Sequence, residues 1–191
     1  IVTAHYGNWE LAATAWARQF GIPMVSIMRE FANPLIGKYI LKSRQSEVHQ
    51  CVYKDGGIRA LLKALRENKT VAILADQHAG THEGMETTFF GQPCRTHSSP
   101  ALLHLKTGVP IMPEVTRRKP DGGFEFVVAD LIRYTPTEDK EGDIRKVTQM
   151  YTTALEKLIS EHPDQWMWVH RRWLNINRNN HCATGEPLEA Q

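Results

Sequence analysis

A histidine and a carboxylate five positions apart, His5 and Glu10, open the chain in the run Ile-Val-Thr-Ala-His-Tyr-Gly-Asn-Trp-Glu. An imidazole that takes a proton on one nitrogen works best when a carboxylate fixes its tautomer and stabilises the imidazolium from the other. The local pattern suits that use. Residues 1–4 read as the end of an apolar strand, Gly7 frees a sharp turn, and Asn8 caps a helix over 9–20. His5 then stands at the carboxyl end of a strand and Glu10 in the first turn of the next helix, beside the crevice where open α/β sheets bind ligands. The bland reading has equal form: an acidic residue in a first helical turn complements the helix dipole, and a strand-end histidine can be merely hydrogen-bonded.

Arg29 follows a second apolar strand, 24–28, and Arg117-Arg118-Lys119 and Arg171-Arg172 form two basic clusters. The guanidinium fork matches phosphate or carboxylate in two bonds, so arginines converging at strand ends imply an anionic substrate, while any one of them reads as solvated surface. Asp76 falls at the carboxyl end of a continuous apolar strand, 70–75. With His78 and His82 it offers three metal-ligand types. Gly80 and Gly84 argue against the helix that an i, i+4 histidine pair needs, and His-Glu-x-x-His is absent.

The elements that must position these residues alternate. Helices are predicted over 9–20, 34–43, 58–68, 100–107 and 143–161, and strands over 24–28, 48–53, 70–75, 109–117 and 124–134, with a last short strand at 165–170. Strand–helix alternation at short intervals signals βαβ units and a mostly parallel sheet flanked by helices, an α/β fold. The Asp121-Gly122-Gly123 turn adds antiparallel pairing, and the polar stretch 77–91 reads as a site loop. The 191 residues, 41% hydrophobic and 23% charged, fit one catalytic domain over 1–175 with a polar tail over 176–191. A net charge of +2 gives no reason to expect nucleic acid, and Cys51, Cys94 and Cys182 read as reduced thiols. A chain that opens with Ile1 inside a core strand is expected to lack an upstream part and to be unstable or inactive as it stands.

Five blocks in order resemble the bacterial lipid A biosynthesis acyltransferases: His5 to Glu10 as an H-x4-D/E motif; Arg29 with Asn33-Pro34; Ala75-Asp76-Gln77 with Phe89-Phe90-Gly91; Arg117 to Gly122; and Gln165 to Trp173. The resemblance implies a fold like that of glycerol-phosphate acyltransferases and transfer from an acyl-carrier-protein thioester to a hydroxyl of a Kdo-bearing, phosphorylated lipid A precursor. His5 would be the general base, oriented by Glu10, with Arg29, Asp76, Arg117, Arg171 and Arg172 around the substrate. It further implies a membrane-surface enzyme on the cytoplasmic face of the inner membrane, anchored upstream, needing no metal or other cofactor. Oligomeric state, acyl length and acceptor stay open. Related enzymes that acylate mannosylated phosphoinositides, from acyl-CoA, give the alternative. A metal-dependent hydrolase on Asp76, His78 and His82, or a silent lipid-binding module, are the readings from other classes.

Overall fold

The computed structural model describes residues 1–54 and 56–174. Its centre is a four-stranded parallel sheet in the order β1 (Val2–Thr3), β4 (Thr70–Leu74), β2 (Met24–Met28), β3 (His49–Tyr53). Parallel neighbours need crossovers, and α1 (Trp9–Phe20), α2 (Pro34–Arg44) and α3 (Gly57–Arg66) supply them. Asn8 and Asn33 accept backbone N–H bonds from Leu11 and from Leu35 and Ile36, so both predicted caps form. The inner strands are buried on both faces, which is why 70–74 is apolar without alternation. Val25, Val71 and Ile73 pack on Leu61 and Ala64 of α3 and Leu103 of α4 (Ser99–Thr107), while Met24 and Ala72 pack with Ala17 of α1.

The stretch 77–91 departs from the expected loop. Much of it belongs to an antiparallel hairpin, β5 (Gly84–Phe89) and β6 (Gln92–His97). Its two-residue turn places Phe90 and Gly91 at φ 51° and 70°, as a type I′ turn requires. A phenylalanine there is costly in backbone terms. Glu156 offsets this by accepting the Phe90 N–H at 2.7 Å, and the ring packs among Phe89, Trp166 and Trp168. A second hairpin, β7 (Glu114–Arg118) and β8 (Phe124–Val128), forms its own ribbon; a parallel bridge between Val2 and Pro113 is its link to β1. The long helix α5 (Lys140–Glu161) starts three residues before the expected Asp143, because Asp139 caps it through Gly142 N–H. Val147, Tyr151, Leu155 and Ile159 of α5 close the core with Phe89, Val115 and Trp166. The last predicted strand is instead a short 3-10 turn, Pro163–Gln165, followed by a single bridge from Trp166 to Tyr6. The tail at 176–191, with Cys182, lies outside the described residues. Among the described residues no helix is long and apolar enough to cross a membrane.

Candidate active site

Register assembles the site. Thr3 pairs with Leu74, so two residues further on His5 and Asp76 leave adjacent parallel strands side by side. His5 Nδ1 lies 2.7 Å from Asp76 Oδ1, and the His5 backbone N–H donates to Asp76 Oδ2 at 2.9 Å. The indole N–H of Trp166 donates to the same Oδ2 at 2.8 Å. Burial pushes the Asp76 carboxyl toward protonation, but the bonds from His5 and Trp166 outweigh it and hold its pKa below the usual value. An ionised carboxylate only accepts, so the proton of neutral His5 sits on Nδ1 and Nε2 is an acceptor. His5 lines a cleft of about 520 Å³, and the side-chain N–H of Gln77, on the same wall, donates to Nε2 at 3.3 Å, a long bond that an incoming hydroxyl would replace. This is the arrangement of a general base.

Gly7 makes the turn after His5 possible. Its φ is +55°, and a Cβ there would run into the carbonyl oxygen of Thr116. The Gly7 N–H meanwhile donates to Gln165 O and the Met167 N–H to His5 O, which ties the turn to the 163–167 segment.

The expected orienting contact from Glu10 does not form. Glu10 sits in the first turn of α1 as foreseen, but its two oxygens accept Nε and Nη2 of Arg44, each at 2.7 Å. That bidentate bond lowers the Glu10 pKa and raises that of Arg44. The reason is geometric: a residue at the start of α1 projects toward the neighbouring α2, whereas the partner strand's carboxyl end already abuts His5.

The other two strands bring cations to the same end. Met28 pairs with Tyr53, so Arg29 and Lys54 leave β2 and β3 as neighbours, and both line the cleft. Lys54 Nζ contacts Glu83 at 2.6 Å, holding that carboxyl below its usual range, and His97 lies 3.8 Å from the same group. Lys54 went unnoticed in the sequence; its one signal was position, the first residue after an apolar strand. Ile27, Met28, Phe31, Ile58 and Leu102 give the cleft an apolar wall, so one cavity offers a base, cations and a greasy surface.

The structure parts the remaining arginines. Arg172 is 1% exposed and does not itself line the cleft; its guanidinium donates to the carbonyls of the cleft residue Gln77 and of Arg95 and to the Thr96 hydroxyl, and lies over Phe89. It fastens the segment after β4 to β6 from behind. Arg171 is exposed, and Arg117 is held at the surface by Glu125 and Glu161. Neither lines the cleft. Asp76, His78 and His82 do not converge: among the described residues no three His, Cys, Asp or Glu side chains are grouped to hold a metal.

The chain is 29% identical over 183 residues to a lipid A biosynthesis lauroyltransferase of Escherichia coli, an alignment covering 91% of this chain and 55% of that one. It is 27% identical over 179 residues to a phosphatidylinositol mannoside acyltransferase of Mycobacterium tuberculosis and to a lipid A biosynthesis acyltransferase of Haemophilus influenzae, each covering 91% of this chain and 54% of the relative. The chain thus spans about half the length of these relatives. The family profile of bacterial lipid A biosynthesis acyltransferases matches residues 1–175, and the chain belongs to that family.

Proposed function

We propose that this chain carries the catalytic centre of an O-acyltransferase that moves a fatty acyl group from an acyl-carrier-protein thioester to a hydroxyl of a Kdo-bearing lipid A precursor. The observation that carries the reading is His5, bonded through Nδ1 to the buried Asp76 and lining a cleft that is apolar on one side and carries Arg29 and Lys54 on another. An aliphatic hydroxyl is a poor nucleophile until its proton is removed during attack. His5 Nε2 takes that proton as the hydroxyl oxygen bonds to the thioester carbonyl carbon. The tetrahedral intermediate then expels the thiolate, the imidazolium returns the proton to sulfur, and an ester and a free thiol leave. Asp76, bonded to Nδ1, stabilises the imidazolium in between. No covalent acyl-enzyme is required.

Arg29 and Lys54 suit the phosphate of the acceptor or of the donor's phosphopantetheine arm. The apolar wall suits the acyl chain. In this reading Glu10 acts at one remove, by holding Arg44 on the rim. The acyl carrier protein and the glycolipid are the partners, the inner membrane's cytoplasmic face is the location, and the chemistry needs no added cofactor.

The mycobacterial relative, as similar as the Haemophilus one, favours a second reading in which the acceptor is a phosphatidylinositol mannoside and the donor acyl-CoA. The test crosses labelled acyl-carrier-protein thioester and acyl-CoA with both acceptors, using the full-length natural protein. Transfer to the lipid A precursor from the carrier protein, abolished by His5→Ala, is the expected result. Transfer confined to acyl-CoA and the mannoside selects the second reading, and transfer that survives His5→Ala removes the base from both.

A further inference from the structure

Acyl transfer by His5 leaves one developing charge without a partner. As the hydroxyl oxygen bonds to the thioester carbon, an electron pair moves onto the carbonyl oxygen, and a donor already in place stabilises that oxyanion best. Several donors on the cleft wall are committed elsewhere: the Arg44 guanidinium to Glu10, the Lys54 ammonium to the Glu83 carboxylate, and the Ser98 hydroxyl to the Glu83 carbonyl. Arg29 leaves β2, and β4 stands between that strand and β1, which carries His5. Gln77 leaves β4 itself. Its side-chain N–H lies against His5 Nε2 at 3.3 Å, and among the described residues this long bond is the one that the amide makes.

The main chain of Gln77 is fixed while its side chain is not. The preceding Asp76 is held by the His5 backbone, the His5 ring and the Trp166 indole, and the Gln77 carbonyl accepts Nη1 of the buried Arg172 at 3.0 Å. We propose that Gln77 is the oxyanion donor of the transfer reaction. The acceptor hydroxyl takes its place at Nε2, because one lone pair accepts one donor, and the displaced amide keeps two N–H groups to give. The thioester carbonyl oxygen lies one carbon beyond the attacking hydroxyl oxygen, so a small swing of the amide brings an N–H to it as it gains charge. When the intermediate collapses, the electron pair returns to re-form the carbonyl, the C–S bond breaks, and the thiolate takes the proton from His5. The bond from Gln77 then weakens to that of an amide with a neutral ester. Arg172 becomes a positioning residue, holding the main chain from which that amide swings. The inference rests on the acyl-transfer reading but on neither choice of donor and acceptor.

The test measures kcat and KM of Gln77→Met, Gln77→Glu and Gln77→Asn in the full-length natural protein. The substrates are acyl-carrier-protein thioester with the lipid A precursor, or acyl-CoA with the phosphatidylinositol mannoside where that is the pair the parent uses. Methionine keeps the length of the side chain and has no donor, so kcat should fall about 10²- to 10³-fold with KM within about threefold of the parent. Gln77→Glu keeps the shape but only accepts, and should lose at least as much. Gln77→Asn keeps the N–H on a shorter arm and should lose less than either. All three should melt with the parent, since the side chain makes a single long bond. Gln77→Met within about tenfold of the parent kcat, while His5→Ala is inactive, overturns the role of Gln77 and leaves the base in place. A rise in KM at unchanged kcat overturns it as well, for that is ground-state binding. Transfer that survives His5→Ala removes the acyl-transfer base itself, and the role of Gln77 with it.

Discussion

His5 and Asp76 are 71 positions apart in the chain and 2.7 Å apart in space, and a second bond joins the backbone of one to the side chain of the other. The pair is therefore fixed twice: the ring cannot swing away without leaving a buried carboxylate that still holds the backbone N–H. Because Asp76 Oδ2 also receives the Trp166 indole, the carboxylate is locked from three directions. An imidazole so held is preorganised, with its ring and tautomer fixed by the fold.

Asp76→Asn should separate tautomer from structure. An asparagine that donates to Nδ1 puts the imidazole proton on Nε2, facing the cleft, where it cannot accept a proton from the acceptor. The turnover rate should fall roughly 10⁴-fold, the scale of a wrong-tautomer defect, while near-normal thermal unfolding shows that the fold survives. Single-turnover acyl transfer is the readout. A variant keeping a tenth or more of the rate would show that Asp76 holds the fold and not the tautomer.

Glu10→Gln should behave differently, because Glu10 touches Arg44 and not His5. A partly exposed ion pair contributes little to stability, so unfolding should move within about 1 kcal/mol. Activity should fall less than tenfold, chiefly through KM, as expected for loss of substrate positioning without loss of the base. Arg44→Gln should match it, and the double variant should be no worse than either alone. A drop in turnover as deep as that of Asp76→Asn would return the orienting role to Glu10.

Arg172→Met tests the brace behind the site. It removes three bonds from a buried guanidinium and strands the carbonyl of Gln77, while that of Arg95 keeps the Ala79 N–H. The loss should be at least about 3 kcal/mol, which for a chain of this size lowers Tm by roughly 6–12 °C. Arg172→Lys should recover part of the stability but less of the activity, since an ammonium cannot bridge both carbonyls and Thr96 at once. Melting curves of both variants decide this.

Much of the parallel sheet was legible because its signals are local. Asn8 and Asn33-Pro34 announce helix starts, and the apolar run before Asp76 announces a buried strand. The place of His5 at a strand end, beside the cleft, was legible too. Its partner was misassigned for a reason that spacing cannot reveal. Glu10 is near His5 in sequence, but the register Thr3–Leu74 decides what is near in space, and register is a property of β1 and β4 together. The β5–β6 hairpin was hidden because Phe90-Gly91 lacks the asparagine or aspartate that normally marks such a turn; aromatic packing and Glu156 compensate there. Arg172 read as one of two like neighbours, and nothing in Arg171-Arg172 tells which is buried.

Glu114 predicts a pH dependence independent of the site. It is a carboxyl 3% exposed on β7, and burial pushes its pKa from 4.5 up to about 7, against the pull of the Thr116 hydroxyl. An acid whose folded pKa is raised binds its proton more tightly in the fold than in the unfolded chain. The stabilisation is complete below pH 4.5, declines as pH rises through 7, and totals on the order of 3 kcal/mol. Asp76 has the opposite sign: its depressed pKa contributes stability above its ordinary 3.8 that is lost at lower pH. Glu114→Gln keeps a neutral, hydrogen-bonding side chain at every pH, so it should match the parent near pH 4.5 and exceed it above pH 7. Urea midpoints across that range measure the difference, in which the other titrating groups cancel. Parallel curves for the two proteins would show that Glu114 is ionised in the fold, and that β7 accommodates a charge its burial should expel.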